Sequence, residues 1–243
     1  MAMKNKEQVF AMITDFHSHI LPGIDDGSKS LEMSMTMLQQ MAEQGIPRVV
    51  ATPHFYANQD TPEGFLTRRA EAENLLRQEM ALQGNLPQLV VGAEVYYFAG
   101  MSRAEALRDL TIGDTDYILV EMPFCTWTDV MVRELEKIRQ YQGLEPIIAH
   151  VDRYVSPLHQ RKLPATLNDM GFLMQANSSF FQERGSYAIK LFKQGYIHLL
   201  GSDCHNLTGR APNLNLAMDT IVQRFGDEAL WQLRENEEIV FGE

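Results

Sequence analysis

Short apolar runs alternate along the chain with longer stretches in which apolar residues recur at helical spacing. The short runs predict seven β-strands, at 12–19, 48–54, 89–95, 117–122, 146–150, 172–176 and 197–203. The longer stretches predict helices at 30–45, 62–83, 102–110, 129–141, 157–170, 186–194, 213–225 and 228–235, the fifth broken near Pro164. Repeated strand–helix units are typical of a parallel sheet with right-handed crossovers.

Residues of the types that can bind metal ions stand at the carboxyl ends of nearly all the predicted strands. They are His17, His19, His54, Glu94, Glu121, His150, Asp203 and His205, while Asn177 ends the sixth strand. Residues two apart on a strand project from one face, so His17 and His19 point the same way. Strand ends converge on one mouth in a (β/α) barrel, whereas an open sheet spreads them along a line. The clustering therefore favours a seven-stranded (β/α) barrel.

The chain shows no internal repeat or linker, so we expect one α/β domain over residues 12–243, after a loosely ordered leader at 1–11. The net charge of −11 disfavours nucleic-acid binding through a broad basic surface. No apolar run reaches the roughly 18 residues of a membrane span. Cys125 and Cys204 do not suggest a disulfide framework, which makes a reducing cytoplasm the expected location. His159 and His198 lie elsewhere and are predicted to be structural.

Eight candidate ligands exceed the three or four of a single zinc site. Imidazole and carboxylate ligands without cysteine suit Mn, Fe or Zn. Three divalent ions against Glu94, Glu121 and Asp203 leave enough positive charge to balance a phosphate dianion and one hydroxide. Two ions leave a single positive charge. The charge count therefore favours three ions over two.

Two arginines stand beside the candidate ligands, Arg153 three residues after His150 and Arg210 five residues after His205. A guanidinium binds phosphate oxygens in bidentate fashion and stabilises charge that develops on a transferred phosphoryl group. The alternative is that each arginine is a surface residue in an ion pair. Their position next to the ligands favours phosphate binding.

These residues, in order, resemble a known superfamily. The motifs are His-x-His at the first strand, Thr52-Pro53-His54, Gly92-Ala93-Glu94, Glu121, Ala149-His150 and Ser202-Asp203-Cys204-His205, and they look like the polymerase and histidinol phosphatase (PHP) superfamily. The opening stretch 15–27 resembles that of bacterial manganese-dependent tyrosine-protein phosphatases, which belong to capsule and exopolysaccharide gene clusters. The resemblance implies a distorted seven-stranded barrel and a trinuclear site, with the eight residues as ligands and Arg153 and Arg210 gripping phosphate.

The chain departs from the family pattern at one motif. The family usually has His-Pro-Glu-Arg where this chain has His150-Val151-Asp152-Arg153, so the resemblance does not fix the direction of Arg153. Asp25 and Asp26 are predicted to shape the loop or to support ligands.

A second phosphatase signature overlaps the last motif. The stretch 204–210 fits C-x5-R, the pattern of phosphatases that attack with a cysteine thiolate. Asp203 immediately before Cys204 disfavours the thiolate, and that mechanism leaves the other predicted ligands unexplained. We therefore expect Cys204 to be a small buried filler.

The sequence predicts a metal-dependent protein-tyrosine phosphatase in which a metal-bound hydroxide attacks phosphorus in line. By resemblance its metal is Mn²⁺, and its substrate is the tyrosine-rich tail of a bacterial kinase that controls polysaccharide export. The alternatives within enzymes are a small-molecule phosphatase of histidinol-phosphatase type and a PHP nuclease. A metal-loaded protein that regulates the kinase by docking alone is an alternative of another class. The sequence does not give the oligomeric state.

Overall fold

The computed structural model describes residues 13–155 and 161–243. Its strands all pair in parallel, and they are β1 Asp15–Ser18, β2 Arg48–Ala51, β3 His54–Phe55, β4 Gln88–Val91, β5 Glu94–Tyr96, β6 Tyr117–Glu121, β7 Glu145–Ile148, β8 Leu173–Asn177 and β9 Leu199–Gly201. One sheet has the order β1-β2-β4, and the other has the order β3-β5-β6-β7-β8-β9. Helices alternate with these strands, which confirms the α/β class.

Nine strands stand within the described residues where the sequence predicted seven, because two predicted strands are each interrupted once. Pro53 follows the end of β2 and has no N–H to donate to the ladder. The partner strand is interrupted at the same level, between β4 and β5. Pairing nevertheless continues across the gap, since Gly92 N–H donates to Ala51 O (2.9 Å) and Glu94 N–H donates to Pro53 O (3.0 Å). The two sheets thus form one continuous parallel arrangement.

The sheet curls so that its last strand lies beside its first. Asp203 N–H, just past β9, donates to His17 O (2.8 Å), and His19 N–H donates to Cys204 O (2.9 Å). A shift of register between Asp15 and Ser18 interrupts the pairing of β1 with β2. The carboxyl ends of β1 and β9, which carry candidate ligands, are therefore neighbours.

The concave face of the curled sheet is layered. A small apolar cluster joins buried side chains from several of the strands, and it includes Phe16, Val50, Leu119, Ile147 and Leu199. Side chains on a strand return to the same face every second residue, so Glu121 stands above Leu119 in the direction of the strand. The larger apolar cluster packs the helices against the rest of the sheet. Polar side chains consequently occupy the rim of the concave face, at the carboxyl ends of the strands.

The helices follow the predicted order. They are α1 Leu31–Glu43, α2 Pro62–Met80, α3 Asp129–Gln142, α4 Val151–Tyr154, α5 Leu163–Asp169, α6 Phe180–Glu183, α7 Gly185–Lys193, α8 Leu214–Phe225 and α9 Ala229–Phe241. Ser30, Thr61 and Thr128 cap the first three, each accepting a hydrogen bond from a backbone N–H in the first turn. None of the helices in the described ranges is both long and apolar enough to cross a membrane.

Some predicted helices differ in the structure. The stretch predicted at 102–110 forms two 3₁₀ turns, Met101–Arg103 and Glu105–Leu110. Pro164 lies in the first turn of α5, where a missing N–H costs nothing, so it opens that helix instead of breaking it. The predicted start of this helix at 157–160 lies outside the described residues, as does the predicted leader at 1–11. The short helices α4 and α6 were not predicted, and α9 runs six residues past its predicted end.

Candidate metal centre

The eight predicted ligand side chains come together at the carboxyl ends of the strands, around Glu94. This carboxylate is fully buried. Its Oε2 atom lies 3.1 Å from His17 Nε2 and 2.9 Å from His54 Nδ1, and its Oε1 atom lies 2.8 Å from His150 Nε2. Asp203 supplies a second centre, with Oδ1 3.5 Å from His19 Nε2 and 3.7 Å from His17 Nε2. A strand-end carboxylate therefore sits among imidazoles contributed by several strands.

Four overlapping groups of side chains within the described ranges bring their ligand atoms within 4.8 Å of one another. The groups are His17, Glu94 and His150; His17, His19 and Asp203; His54, Glu94 and Glu121; and His19, Asp26, His54 and His205. Several residues belong to two groups. The arrangement therefore suits more than one ion, with shared ligands between neighbouring positions.

His54 turns Nδ1 toward Glu94 Oε2 (2.9 Å), whereas the other four clustered histidines each form a hydrogen bond between Nδ1 and an oxygen. The pairs are His17 with Gln175 Oε1 (3.3 Å), His19 with Asp25 Oδ2 (2.7 Å), His150 with Asn177 Oδ1 (2.9 Å) and His205 with the backbone oxygen of Asp203 (2.9 Å). Because these oxygens only accept, each Nδ1 must carry the proton and donate it. Each Nε2 then turns toward the cluster. Metal-binding histidines in proteins are held in this way, by an oxygen on the ring nitrogen away from the metal.

The cluster contains buried polar atoms that bound cations would satisfy. His54 Nδ1, Glu94 Oε2 and His205 Nε2 are buried and form no well-aligned hydrogen bond within the described residues, although His54 Nδ1 lies 2.9 Å from Glu94 Oε2. His17 Nε2 and His19 Nε2 lie 3.1 Å apart, and their lone pairs repel unless a proton or a cation lies between them. Buried polar atoms of this kind are costly when unsatisfied. The donor set, imidazole and carboxylate without cysteine, fits divalent ions such as Mn²⁺, Fe²⁺ or Zn²⁺.

The electrostatics show the same demand for positive charge. Burial raises the pKa of Glu94, but His17 and His150 outweigh it and hold that pKa well below its usual value. Burial lowers the pKa of His19, but hydrogen bonds with Asp203, Asp25 and Glu94 outweigh it and raise that pKa well above its usual value. The buried Glu94 carboxylate thus stays ionised, and the His19 imidazole holds its proton beside the acidic groups. Bound cations would take over this role.

Both predicted arginines reach the rim of the cluster. Arg153 donates to Glu121 Oε1 (2.7 Å) and to Asp203 Oδ2 (3.2 Å), and Arg210 lies 2.6 Å from the same Asp203 oxygen. Their side chains keep 36% and 42% of their surface exposed, so both guanidiniums face the solvent side of the cluster. The residues that differ from the family motif, Val151 and Asp152, do not direct Arg153 away from the cluster. Asp152 Oδ1 accepts a hydrogen bond from Asn177 N–H (3.0 Å), which fixes the turn.

Unusual backbone geometry occurs at or beside four of the candidate ligands. His150 and Asp203 both have φ of 53°, a left-handed conformation that non-glycine residues seldom adopt and that concentrates at functional sites. Gly27 packs so closely that a Cβ there would lie 2.3 Å from His19 O, and a Cβ at Gly201 would lie 2.4 Å from His17 Cβ. Glycine at both positions lets backbone approach the first-strand histidines directly.

Sequence reasoning did not identify Gln175, although its side chain serves two histidines. Its Oε1 atom faces His17 Nδ1 and also accepts from His150 N–H (3.0 Å). A signal was available, since Gln175 lies two residues before Asn177 on the same face of β8. Asp25 has the predicted supporting position, accepting from Gly27 N–H (2.8 Å) as well as facing His19.

The sequence also leads to predictions for Asp26, His198, His159 and Cys204. Asp26 lies closer to the cluster than expected, with Oδ1 3.3 Å from His205 Nε2. His198 lies apart from the cluster, where its Nδ1 accepts from Met174 N–H (3.0 Å). His159 lies outside the described residues. Cys204 is fully buried, and burial with the nearby Asp15 and Asp203 carboxylates raises the pKa of its thiol well above the usual value. Such a thiol is a poor nucleophile.

Comparison with known proteins finds relatives that are named tyrosine phosphatases. The chain is 32% identical to the tyrosine-protein phosphatase CpsB of Streptococcus pneumoniae, over 87% of this chain and 90% of that protein. It is 29% identical to the tyrosine-protein phosphatase YwqE of Bacillus subtilis, over 93% of this chain and 90% of that protein. A crystal structure from work on YwqE and CpsB, described as unique metal-dependent tyrosine phosphatases, superimposes with a TM-score of 0.81 at 26% identity. That match covers 95% of this chain and 94% of the solved chain.

The sequence pattern of one family extends over nearly the whole chain. The family is described as capsular polysaccharide synthesis, CpsB/CapC, and it matches residues 13–241. The match includes every candidate ligand and both arginines. The chain therefore belongs to the CpsB/CapC family of capsular polysaccharide synthesis proteins.

Proposed function

We propose that this protein is a metal-dependent phosphatase that hydrolyses phosphotyrosine in proteins. The observation that carries the proposal is the orientation of the clustered histidines, four of which have Nδ1 on an oxygen and Nε2 toward carboxylates of the cluster. The relatives named tyrosine-protein phosphatase support the reaction type, since they match almost the full chain. The buried Cys204 thiol argues against cysteine chemistry.

We propose that the ligands are His17, His19, His54, Glu94, Glu121, His150, Asp203 and His205. The metal is Mn²⁺ on this proposal, with two or three ions; the charge count favours three, and the overlapping ligand groups allow neighbouring ions to share residues. Fe or Zn are the alternatives for this donor set. Divalent ions, when bound, supply Lewis acidity and a nucleophilic water at neutral pH.

The chain's own contribution is to position charge. Arg153 and Arg210 approach the cluster from its solvent side, so a phosphoryl group entering from solvent meets both guanidiniums and the ligand layer together. A guanidinium fork matches two phosphate oxygens and strengthens its contact as charge redistributes during transfer. The carboxylates that bind the arginines, Glu121 and Asp203, hold them in place before substrate arrives. We assign the two arginines the role of phosphate clamp.

We further propose that residues 12–243 form one distorted seven-stranded barrel of PHP type. Counting β2 with β3 and β4 with β5 gives seven strands, and the hydrogen bonds between the ends of β9 and β1 support closure. On the same proposal the protein acts in the cytoplasm on a bacterial tyrosine kinase that regulates polysaccharide synthesis or export. The family's place in capsular polysaccharide synthesis supports that substrate.

A substrate panel tests the proposal. Metal-loaded protein is assayed in parallel on a phosphotyrosyl peptide, a phosphoseryl peptide, histidinol phosphate and single-stranded DNA, with bound metal measured in each preparation. We expect the highest kcat/KM on the phosphotyrosyl peptide. Preference for histidinol phosphate or DNA would assign the protein to another PHP activity, and no turnover by metal-replete protein would favour a docking role.

A further inference from the structure

Two tyrosines lie one layer above the candidate ligands on the concave face. Tyr96 follows Glu94 by two residues within β5, so both stand on one face of that strand, and Tyr56 follows His54 by two residues, just past the end of β3. His54 and Glu94 are paired in register, which brings the two tyrosines side by side. The ring centroids of Tyr56 and Tyr96 are 5.5 Å apart, and those of Tyr56 and His54 are 5.2 Å apart.

The tyrosine layer borders the cluster on its solvent side. Tyr96 is in register with Glu121, the carboxylate that binds Arg153. Both rings are only half-buried. A large aromatic surface therefore remains accessible beside the position proposed for the phosphoryl group.

We propose that Tyr56 and Tyr96 determine specificity by receiving the phenyl ring of phosphotyrosine; this inference rests on the proposed function. Two residues of strand span about 6.6 Å, so the tyrosine rings lie one side-chain layer above the ligands. In phosphotyrosine the ring begins one oxygen atom beyond phosphorus. A phosphoryl group on the ligand layer thus places the substrate ring at the height of the tyrosines. Offset or edge-to-face contact between the rings follows at ordinary centroid distances.

The contact predicts a particular kinetic signature. The substrate ring keeps its place while the phosphoryl group transfers, so ring contacts stabilise the bound substrate and the transition state equally. Uniform binding of this kind lowers KM and leaves kcat unchanged. Inorganic phosphate, the product, has no ring. The inhibition constant of inorganic phosphate therefore measures binding to the metal-ligand cluster and the arginines, with no contribution from the two tyrosines.

The experiment compares Tyr56→Ala, Tyr96→Ala and Tyr56→Phe, with Tyr141→Ala as the control, since Tyr141 is an exposed tyrosine on α3. KM and kcat are measured on a phosphotyrosyl peptide, with the inhibition constant of inorganic phosphate and the metal content of each variant. We expect each alanine variant at position 56 or 96 to raise KM about 3- to 10-fold, the scale of one aromatic pair. Phosphate inhibition, kcat and metal content should stay unchanged, and Tyr56→Phe should retain the wild-type KM.

Unchanged KM in both alanine variants would overturn the inference. An equal rise in KM and in the phosphate inhibition constant would also overturn it, because the tyrosines would then act by supporting the ligand layer. Loss of metal from Tyr56→Ala would show that Tyr56 supports the ligands and does not contact the substrate ring. Tyr96→Ala tests the contact with the substrate ring independently of Tyr56. Absence of phosphotyrosine turnover by wild-type protein would instead refute the proposed function.

Discussion

Replacing Arg210 by alanine should weaken the transition state for phosphoryl transfer. Arg210 is held at the cluster by its own loop, because its backbone oxygen accepts from His205 N–H (2.8 Å) and Asn206 Oδ1 accepts from Arg210 N–H (3.1 Å). Its guanidinium lies 2.6 Å from Asp203 Oδ2. The loop thus brings Arg210 back to the cluster, five residues after the candidate ligand His205.

The expected magnitude follows from distance and exposure. Two unit charges about 4 Å apart interact by about 1 kcal/mol in water and about 4 kcal/mol near a protein surface. The Arg210 side chain is 42% exposed, which places it between these limits. Removal of one preorganised donor to a developing oxyanion costs about 2.7–4 kcal/mol in known enzymes. We therefore expect Arg210→Ala to lose about 2–3 kcal/mol, or about 30- to 150-fold in kcat/KM.

Steady-state kinetics on a phosphotyrosyl peptide, with metal content measured for each variant, test this expectation. We expect kcat to fall along with kcat/KM, since the arginine acts on charge that develops during transfer. Arg210→Lys should recover only part of the loss, because it keeps the charge but lacks the planar fork. Arg224→Ala, at an exposed position in the last turn of α8, is the matched control. Near-normal kcat and KM in Arg210→Ala with metal retained would refute the phosphate clamp.

Three further outcomes are expected. Chelation should abolish turnover of an aryl phosphate and Mn²⁺ should restore it best; full activity after verified metal loss would contradict a metal centre. Cys204→Ser should keep most activity because the thiol is buried and protonated, and a loss of about 10³-fold with metals bound would revive the thiolate. Burial raises the pKa of Glu237 to about 8, so its neutral form stabilises the fold, and wild-type unfolding free energy should fall as pH rises from about 5 to above 8. Glu237→Gln should remove much of that slope in urea unfolding, whereas Glu235→Gln, at an exposed position on the same helix, should leave it intact.

The alternation of strands and helices was predictable because each strand is short, apolar and bounded by turn residues. The approach of the candidate ligands was predictable for a related reason, since parallel strands bring their carboxyl ends to one rim. Two of the predictions were wrong only in where an element is interrupted or ends. Pro53 interrupts a strand that its apolar neighbours continue, and α9 extends past 235 because Glu237 is buried, where both its oxygens accept from Thr14 N–H (2.9 and 3.1 Å).

The contacts that orient the histidines lie beyond sequence reasoning, because they depend on register and on loop closure. Gln175 faces His17 only because β8 and β1 flank β9, an arrangement fixed by the curl of the sheet. Asp25 reaches His19 because the chain turns back after β1, where Ser28 N–H donates to His19 O (2.9 Å). Residue types at strand ends therefore indicate which atoms can bind metal. These supporting oxygens decide which nitrogen of each imidazole faces the cluster. Removing them should therefore leave the histidines in place but turn the wrong ring nitrogen toward the metal.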